Sequence, residues 1–374
     1  MEKSSGVIGT IPAFCIIILS VGLMNHVLVL PPLLQVAKRD AWLSVLGAIL
    51  PYLVWITMLY AIMKRTGQQP FLPWLKQHYG SVAYWGLRLF FMLYLTLIGL
   101  MTLWETTRWT NTSYLPQTPP LMLTVSLVGL CLVAAQFGLK SIAITSGILL
   151  PFVIVFGDFV MSANLPAKNY SLLTPVLEHG MEPVLKGGVY MGGGLVELVL
   201  ILLIQDRLKS QLRLWTLYAL GLFLILLVFG PVTGAIAEFG PAEAAKLRYP
   251  AYEEWRLVRI GKYIQHLDFL SIYQWLSGAT IRIAIAIFLL VELLAIKKKI
   301  VRTIVIVAIG LLFTVINLLP FSDMEYYKFL KYIYFPVSLA AVLLVSFGLF
   351  LLTFMAKKKG GSPDASPGKS RTSR

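Results

Sequence analysis

About ten apolar runs, each close to twenty residues long, follow one another along the chain and constrain its fold more than any other feature. A helix of about twenty residues rises about 30 Å, the hydrocarbon thickness of a bilayer, and lipid requires each backbone polar group to pair within its own segment. With 58% hydrophobic and 13% charged residues, the chain is too apolar for one soluble core. The sequence therefore predicts an all-α polytopic membrane protein. Its predicted spans cover residues 10–36, 41–63, 82–106, 119–137, 141–163, 186–205, 215–237, 268–294, 300–319 and 332–355.

Basic residues indicate how these spans are oriented. The net charge is +15, but the charges gather in short connections on the side of the N-terminus rather than in a nucleic-acid-binding patch. By the positive-inside rule, this bias predicts that both termini are cytoplasmic. Because the charges are spread over these connections, we expect no nucleic-acid partner. Residues 1–9 are the expected cytoplasmic N-terminus, and residues 356–374 are an expected disordered basic tail facing anionic lipid. The connections contribute Lys64, Arg65, Lys76, Lys140, Arg207, Lys209, Arg213, Lys297, Lys298, Lys299 and Arg302.

Two halves of five spans each predict an inverted repeat within a transporter-like domain of residues 10–355. Because five is odd, a duplicated half must insert upside down, and we place the repeats at about 10–163 and 186–355. Spans one and six then correspond, and polar or glycine residues interrupt both of them. Interruptions in corresponding spans indicate broken helices that form a binding site near the bilayer midplane. The alternative for span one is a kinked, packed helix in which Gly22 permits a close crossing.

The interruptions supply most of the candidate ligand-binding residues. Backbone groups freed where the helices unwind would hold a small polar solute, and a half-helix N-terminus would favour a carboxylate. Span eight adds a hydroxyl, and span six adds a carboxylate. The candidates are Gly22, Leu23, Met24, Asn25, Gly192, Gly193, Gly194, Glu197 and Thr280.

Ionisable side chains inside the spans are the candidates for coupling or gating, because charge is costly in the membrane. Arg282 lies about fourteen residues into span eight and needs a carboxylate partner. Glu197 is the first choice, followed by Asp158 and Glu105. We assign coupling or gating roles to Glu197, Arg282 and Asp158. A structural ion pair that fixes helix register is the alternative for Glu197 and Arg282, and hydration at the interface is the alternative for Asp158.

Two long connections, 64–81 and 238–267, occupy matching places in the two halves. In the second, Tyr249, Tyr252, Trp255, Val258, Tyr263 and Leu267 recur at helical spacing. This pattern predicts an amphipathic helix that acts as a lid or, alternatively, lies as a belt along the surface.

Other chemistries find little support in the sequence. Cys15 and Cys131 both fall inside spans, which supports neither a disulfide framework nor a thiolate metal site. A membrane-embedded enzyme would need a reactive cluster at an interface, but His266 and Asp268 are two residues apart and would not face each other on a helix. We therefore expect no catalytic residue, metal or cofactor.

Short motifs along residues 10–355 resemble the endospore germination permease family. The runs LPPLL at 30–34 and DAWLS at 40–44 resemble the start of that family, and the glycines before Glu197 resemble its glycine-rich sixth span. Residues 248–268 resemble its long external connection. Trp275, Gly278 and the Ile281-Arg282-Ile283 triplet resemble its eighth span.

The resemblance implies the amino acid/polyamine/organocation fold, with ten spans in five-plus-five inverted repeats and breaks in helices 1 and 6. It implies a nutrient-sensing B-type subunit of a germinant receptor in the spore inner membrane. Its implied partners are a small-molecule nutrient, an A-type membrane subunit and a C-type lipoprotein. In relatives the first break is glycine-rich, whereas here Leu23 and Met24 follow Gly22, which favours a different nutrient or a loss of binding. The alternative function is an ion- or proton-coupled amino-acid permease.

Overall fold

A computed structural model describes residues 7–261 and 263–356. Most of the predicted N-terminal segment 1–9, Lys262 and nearly all of the predicted basic tail 356–374 therefore lie outside the described residues. The described chain is helical almost throughout, and its β-structure consists of two isolated bridges.

Helices of membrane-spanning length account for ten passes in the described part of the chain. Nine segments are long and apolar enough to cross a bilayer, but the first, Thr10–Arg65, has 56 residues and would extend about 84 Å if it were straight. Lys38, with φ 49° and ψ −122°, divides it into spans one and two. The ten spans are 10–37, 41–65, Phe71–Ser113, Pro120–Phe137, Leu139–Ala163, Glu182–Arg207, Leu214–Phe239, Phe269–Leu293, Lys299–Asn317 and Asp323–Met355. The prediction of an all-α fold with about ten spans is confirmed.

Span three differs most from its predicted limits of 82–106. It begins at Phe71, ends at Ser113 and contains a break at Gly80, where φ is 81° and ψ is −170°. Glycine adopts this left-handed φ at little cost because it has no Cβ. The first part of the helix therefore belongs to the connection predicted at 64–81, and the membrane-spanning part follows the break.

Contacts between chain ends define two faces of the bundle. On one face, the amide of Val7 donates to the carbonyl of Arg207 at 2.8 Å, and Arg65 Nε donates to the carbonyl of Thr353 at 3.2 Å. We call this the terminal face. On the opposite face, the hydroxyl of Tyr114 donates to the carbonyl of Asp268 at 2.8 Å. Both described ends lie on one face, as an even number of crossings requires.

Burial separates an inner set of spans from an outer set. The most apolar 18-residue window is 89% buried in span eight and 78% buried in span six and in the segment that holds spans one and two. In spans four, five, nine and ten this share is 28%. The outer spans therefore present apolar side chains to lipid, and the inner spans enclose the residues that the sequence indicates for function.

The connection between spans seven and eight lies on the face opposite the termini and contains a short helix, Pro250–Leu257, which we call the cap helix. The predicted amphipathic helix was expected to continue to Leu267, and that extent is wrong. Val258 is extended, and both Gly261 and His266 have positive φ, so the chain cannot continue the helix. Tyr263 is 95% exposed rather than on a buried stripe.

Candidate functional site

Span one departs from α-helical geometry near its middle. It is α-helical over Thr10–Leu23, becomes a π-helix over Met24–Val29 and returns to α-helix over Leu30–Ala37. Pro31 and Pro32 explain the widening, because a proline lacks an N–H and its ring clashes with the carbonyl four residues earlier. Span ten repeats the pattern, with a π-helix over Leu330–Tyr334 that ends two residues before Pro336.

Span six departs in the opposite sense. Its α-helix runs over Glu182–Leu195 and tightens to a 3₁₀-helix over Val196–Leu200, which carries Glu197. Both predicted interruptions therefore exist, but the backbone at each stays in helical φ/ψ space. Of the stretches expected to unwind, Gly22 and Leu23 are α-helical, and Met24 and Asn25 begin the widened turn. Gly192–Gly194 are α-helical, and the tightened turn follows them.

An ion pair between spans six and eight lies at the middle of the bundle. Arg282 Nη2 donates to Glu197 Oε1 at 2.6 Å, and Arg282 Nη1 donates to Glu197 Oε2. Both side chains are fully buried. The two parallel bonds are the arrangement that a planar guanidinium makes best with a carboxylate. The predicted partnership of Glu197 with Arg282 is thus present.

Three further spans contribute to the same network, which we call the centre. Arg282 Nε donates to Thr102 Oγ1 at 2.7 Å in span three, and Nη1 donates to the carbonyl of Ser20 in span one at 3.0 Å. The hydroxyl of Tyr334 in span ten donates to Glu197 Oε1 at 3.0 Å. Sequence reasoning missed Ser20, Thr102 and Tyr334, because neutral residues in an apolar span give no charge signal.

Polar atoms without partners adjoin the centre. Asn25 is fully buried on the π-helical turn, and neither its amide nitrogen nor its amide oxygen has a hydrogen-bond partner among the described residues. The hydroxyls of Ser20 and Tyr94 are likewise buried and unpaired within that part of the chain. Buried polar groups are almost always satisfied, so these atoms indicate a place where a polar solute or water binds.

The glycines of span six allow close helix packing. A Cβ added at Gly194 would collide with Asn25 Oδ1 and would lie 2.6 Å from Val29 Cγ2. One added at Gly193 would lie 2.8 Å from the backbone oxygen of Phe335. One at Gly192 would lie 2.9 Å from Leu339 Cδ1. Small residues let the backbones of spans one, six and ten approach, and this proximity brings Asn25 to the centre.

The remaining candidates of span one pack against neighbouring spans. The Cβ of Leu23 lies 2.9 Å from the position a Cβ would take at Gly278 in span eight. A Cβ at Gly22 would lie 3.2 Å from Leu227 Cδ1 in span seven, so Gly22 permits a close crossing. Met24 is fully buried in the apolar core. These residues shape the region through packing.

Two candidates lie away from the centre. Thr280 precedes Arg282 by two residues, or about 200° around the helix, so its side chain faces away from the guanidinium. Its carbonyl accepts from Cys131 Sγ of span four at 3.6 Å. Asp158 is exposed near the end of span five and makes no ion pair or side-chain hydrogen bond within the described residues. The structure does not bring Asp158 to Glu197 and Arg282.

Comparison with known protein families identifies the family of this chain. The family model described as "Spore germination protein" matches residues 9–326, most of the chain. The chain belongs to the spore germination protein family. Spore germination protein XB from Bacillus anthracis is 43% identical to it over 344 residues, which cover 92% of this chain and 97% of that protein.

A solved structure supports the fold of this germination protein. The crystal structure of MhsT in complex with L-phenylalanine aligns with a TM-score of 0.59 and 12% identity, covering 91% of this chain and 98% of that one. MhsT is a transporter of the LeuT fold, so the likeness confirms the transporter-like, five-plus-five architecture. The germination protein is thus an integral, multi-pass membrane protein with a permease-like fold.

An aromatic layer covers the centre toward the face opposite the termini. Glu105 lies about one turn beyond Thr102 and pairs with Arg248 of the span seven to eight connection, with Oε1 and Nη2 2.6 Å apart. Two stacked aromatic pairs, Trp104–Tyr326 at 3.8 Å and Trp109–Trp275 at 4.0 Å between ring centroids, lie near Glu105, with Trp109 about one turn farther along span three. These aromatic residues, with Arg248 of the connection, therefore lie between Arg282 and that face.

Proposed function

We propose that the germination protein is the nutrient-sensing membrane subunit of a germinant receptor and that its nutrient binds beside Asn25. The observation that supports this site most directly is the unpaired amide of Asn25 at a widened turn, next to the ion pair of Glu197 and Arg282. Membership of the germination family supports the biological role, and the permease-like fold supports binding between corresponding helices of two repeats.

The charge of the centre favours a neutral or zwitterionic solute. Glu197 and Arg282 already neutralise each other, and the other contributing groups are hydroxyls, an amide and a carbonyl. A solute with net charge would leave an uncompensated charge in a buried site, which is costly. An amino acid or a similar small polar molecule meets this condition, since its own charges cancel.

The network suggests how binding is transmitted. Five spans from both predicted repeats meet at Arg282 and Glu197, so a solute that pairs with Asn25 would favour one packing of spans one and six over another. The change would pass to an A-type membrane subunit and a C-type lipoprotein in the spore inner membrane. In this proposal the terminal face is cytoplasmic and Asp158 is hydrated at the opposite interface.

The substitution Asn25→Ala tests the site. It removes an amide that has no protein partner within the described residues, so we expect little loss of stability, while the nutrient-induced rise in Tm disappears. The measurement is thermal unfolding in nanodiscs with a panel of amino acids, sugars and nucleosides. Asn317→Ala is the matched control: Asn317 is buried but donates to Thr107 Oγ1 and Thr124 Oγ1, so its loss should lower Tm and leave the nutrient response intact.

Two other outcomes would contradict the proposed site or the proposed sensor role. An unchanged nutrient response in Asn25→Ala would remove the ligand from the centre. Net uptake of the same solute into proteoliposomes, dependent on an ion or proton gradient, would decide for a coupled permease. For a sensor we expect binding without accumulation.

A further inference from the structure

A second buried ionic cluster lies under the cap helix, away from the centre. Lys168 Nζ is 3.3 Å from Glu238 Oε1 and 4.0 Å from Glu254 Oε2. The side chains of Lys168 and Glu238 are fully buried, and that of Glu254 is 3% exposed. Asn164 donates through its amide nitrogen to the backbone oxygen of Glu254 at 2.7 Å. We call Lys168, Glu238 and Glu254 the cap cluster.

The cap cluster has one more carboxylate than it has cations. No other cationic side chain in the described part of the chain lies within 4.0 Å of Glu238 or Glu254. Glu238 pairs with Lys168 through Oε1 and accepts from Asn164 Nδ2 through Oε2 at 3.5 Å, whereas Glu254 Oε1 is buried without a hydrogen bond from any described residue. A buried, uncompensated carboxylate is costly, and it becomes neutral when it binds a proton.

The cluster joins three elements of the fold. Glu254 comes from the cap helix and lies against Gly234 of span seven, where an added Cβ would be 2.8 Å from its Oε2. Glu238 ends span seven, and Lys168 follows span five. Beside Glu254, Trp255 packs on Val160 of span five and donates through Nε1 to Gln274 Oε1 at 2.8 Å. The cap helix therefore contacts the bundle through this cluster as well as through Trp255.

We propose that Glu254 is a proton-binding site and that its proton holds the cap helix against spans five and seven. With that proton, one carboxylate faces one ammonium, and the buried cluster is neutral. Without it, the extra negative charge favours release of the cap helix into water. The device controls access to the centre from the face opposite the termini and does not require that a nutrient be bound.

The electrostatic surroundings support this direction. Burial, and next to it the charge of Glu238, raises the pKa of Glu254 well above its ordinary value, against the opposing effect of Lys168. A pKa that is higher in the docked state means that docking is fully stabilised below the ordinary glutamate pKa. This stabilisation is lost as pH rises through the raised pKa.

Other ionisable groups near the cap helix do not balance Glu254 among the described residues. Glu253 and Arg256 pair with each other at 2.9 Å on the same helix. Asp158 on span five is itself acidic and exposed, His26 on span one forms no ion pair with Glu254 within 4.0 Å, and Arg248 pairs with Glu105. Lys168 and Glu238 are the charged groups that face it.

Distances between two spin labels test the proposal without any change in the cluster. One label is attached at Leu257→Cys on the exposed side of the cap helix and the other at Gln117→Cys in an exposed connection on the same face, with Cys15 and Cys131 replaced by Ala. We expect one short distance at about pH 5 and at least about a twofold smaller docked fraction at about pH 9, a range that reaches from the ordinary glutamate pKa toward that of lysine.

Substitutions then assign the proton. Glu254→Gln, neutral and of the same shape, should keep the docked distance over the whole pH range, whereas the control Glu253→Gln should keep the unmodified pH response. A distance that does not change with pH would overturn the proposal, as would a Glu254→Gln protein that still responds. A docked distance that changes with Na⁺ or K⁺ at constant pH would overturn the proposal in favour of a metal cation. Loss of the pH response in Lys262→Gln would overturn it in favour of the lysine ammonium.

Discussion

The centre and the cap cluster are both buried and ionic, but their charges differ. At the centre one guanidinium meets one carboxylate, with two parallel bonds between Arg282 and Glu197. In the cap cluster one ammonium serves two carboxylates, and its nearest oxygen, Glu238 Oε1, is 3.3 Å away. Arginine offers a rigid fork of donors, whereas lysine is a compact point charge.

The difference indicates distinct tasks. The balanced pair lies among five spans and needs nothing from water, so it fixes how those spans pack. The unbalanced cluster lies at the face that the connection covers and needs a proton to be neutral. We interpret the centre as a frame for solute binding and the cap cluster as a responsive contact. Removing one charge from each, and one hydrogen bond from the centre, tests this distinction.

The largest effect should follow Arg282→Met, which leaves the Glu197 carboxylate buried and unpaired. Breaking a buried pair from one side costs about 3–5 kcal/mol, and here the structure offers the carboxylate no path to water. The measurement is the free energy of unfolding in detergent micelles, together with the amount of folded protein in the membrane.

The double substitution Glu197→Gln with Arg282→Met is its control. It removes both charges, so it should recover a large part of the loss, because the cost arises from the unpaired carboxylate. If the single and double variants lose equal stability, packing at the centre rather than charge compensation holds these spans together.

Much of the centre could be predicted from the sequence, because charge inside an apolar span stands out. Arg282 in span eight needed a carboxylate, and Glu197 was the first choice. The interruptions of spans one and six were also visible as polar and glycine residues. The backbone geometry of these interruptions could not be predicted from the glycines alone. The prolines at 31 and 32 widen span one into a π-helix, whereas the glycines of span six allow close helix packing.

The cap cluster was not predicted, because its members come from three different elements of the fold and Lys168 is distant in sequence from both glutamates. Glu238 and Lys168 lie at span ends, where charged residues are ordinary, and Glu254 lies in a helix whose predicted length was too great. Burial alone distinguishes Glu254 from Glu253 beside it, and burial comes from tertiary packing. For Asp158 the sequence left two alternatives, a coupling role and hydration at the interface, and only the tertiary packing shows that its side chain is exposed.

A smaller effect should follow Lys168→Met, which leaves Glu238 and Glu254 without a cation. These carboxylates lie near the face of the bundle and can take up protons or be released with the cap helix. We therefore expect a local loss of about 2–3 kcal/mol, the cost of an unsatisfied buried polar group, rather than global unfolding. Spin-label distances should show release of the cap helix at a lower pH than in the unmodified protein, because without Lys168 the docked cluster is neutral only when both carboxylates carry a proton. A global loss as large as that of Arg282→Met would contradict the distinction.

The smallest of these effects should follow Tyr334→Phe, which removes one neutral donor from the centre and changes no charge. The hydroxyl donates to Glu197 Oε1 at 3.0 Å, but Arg282 Nη2 still donates to the same oxygen. A hydrogen bond to a charged group contributes about 1.5 kcal/mol, so we expect a loss of that size in the free energy of unfolding. Tyr327→Phe is the matched control, because its side chain is half-buried but its hydroxyl makes a solvent-exposed hydrogen bond to Gln35 at 3.3 Å, whose loss should change stability by less than about 0.5 kcal/mol. If the two variants lose the same stability, Glu197 is satisfied by Arg282 alone, and span ten is free to move relative to spans six and eight when a solute binds.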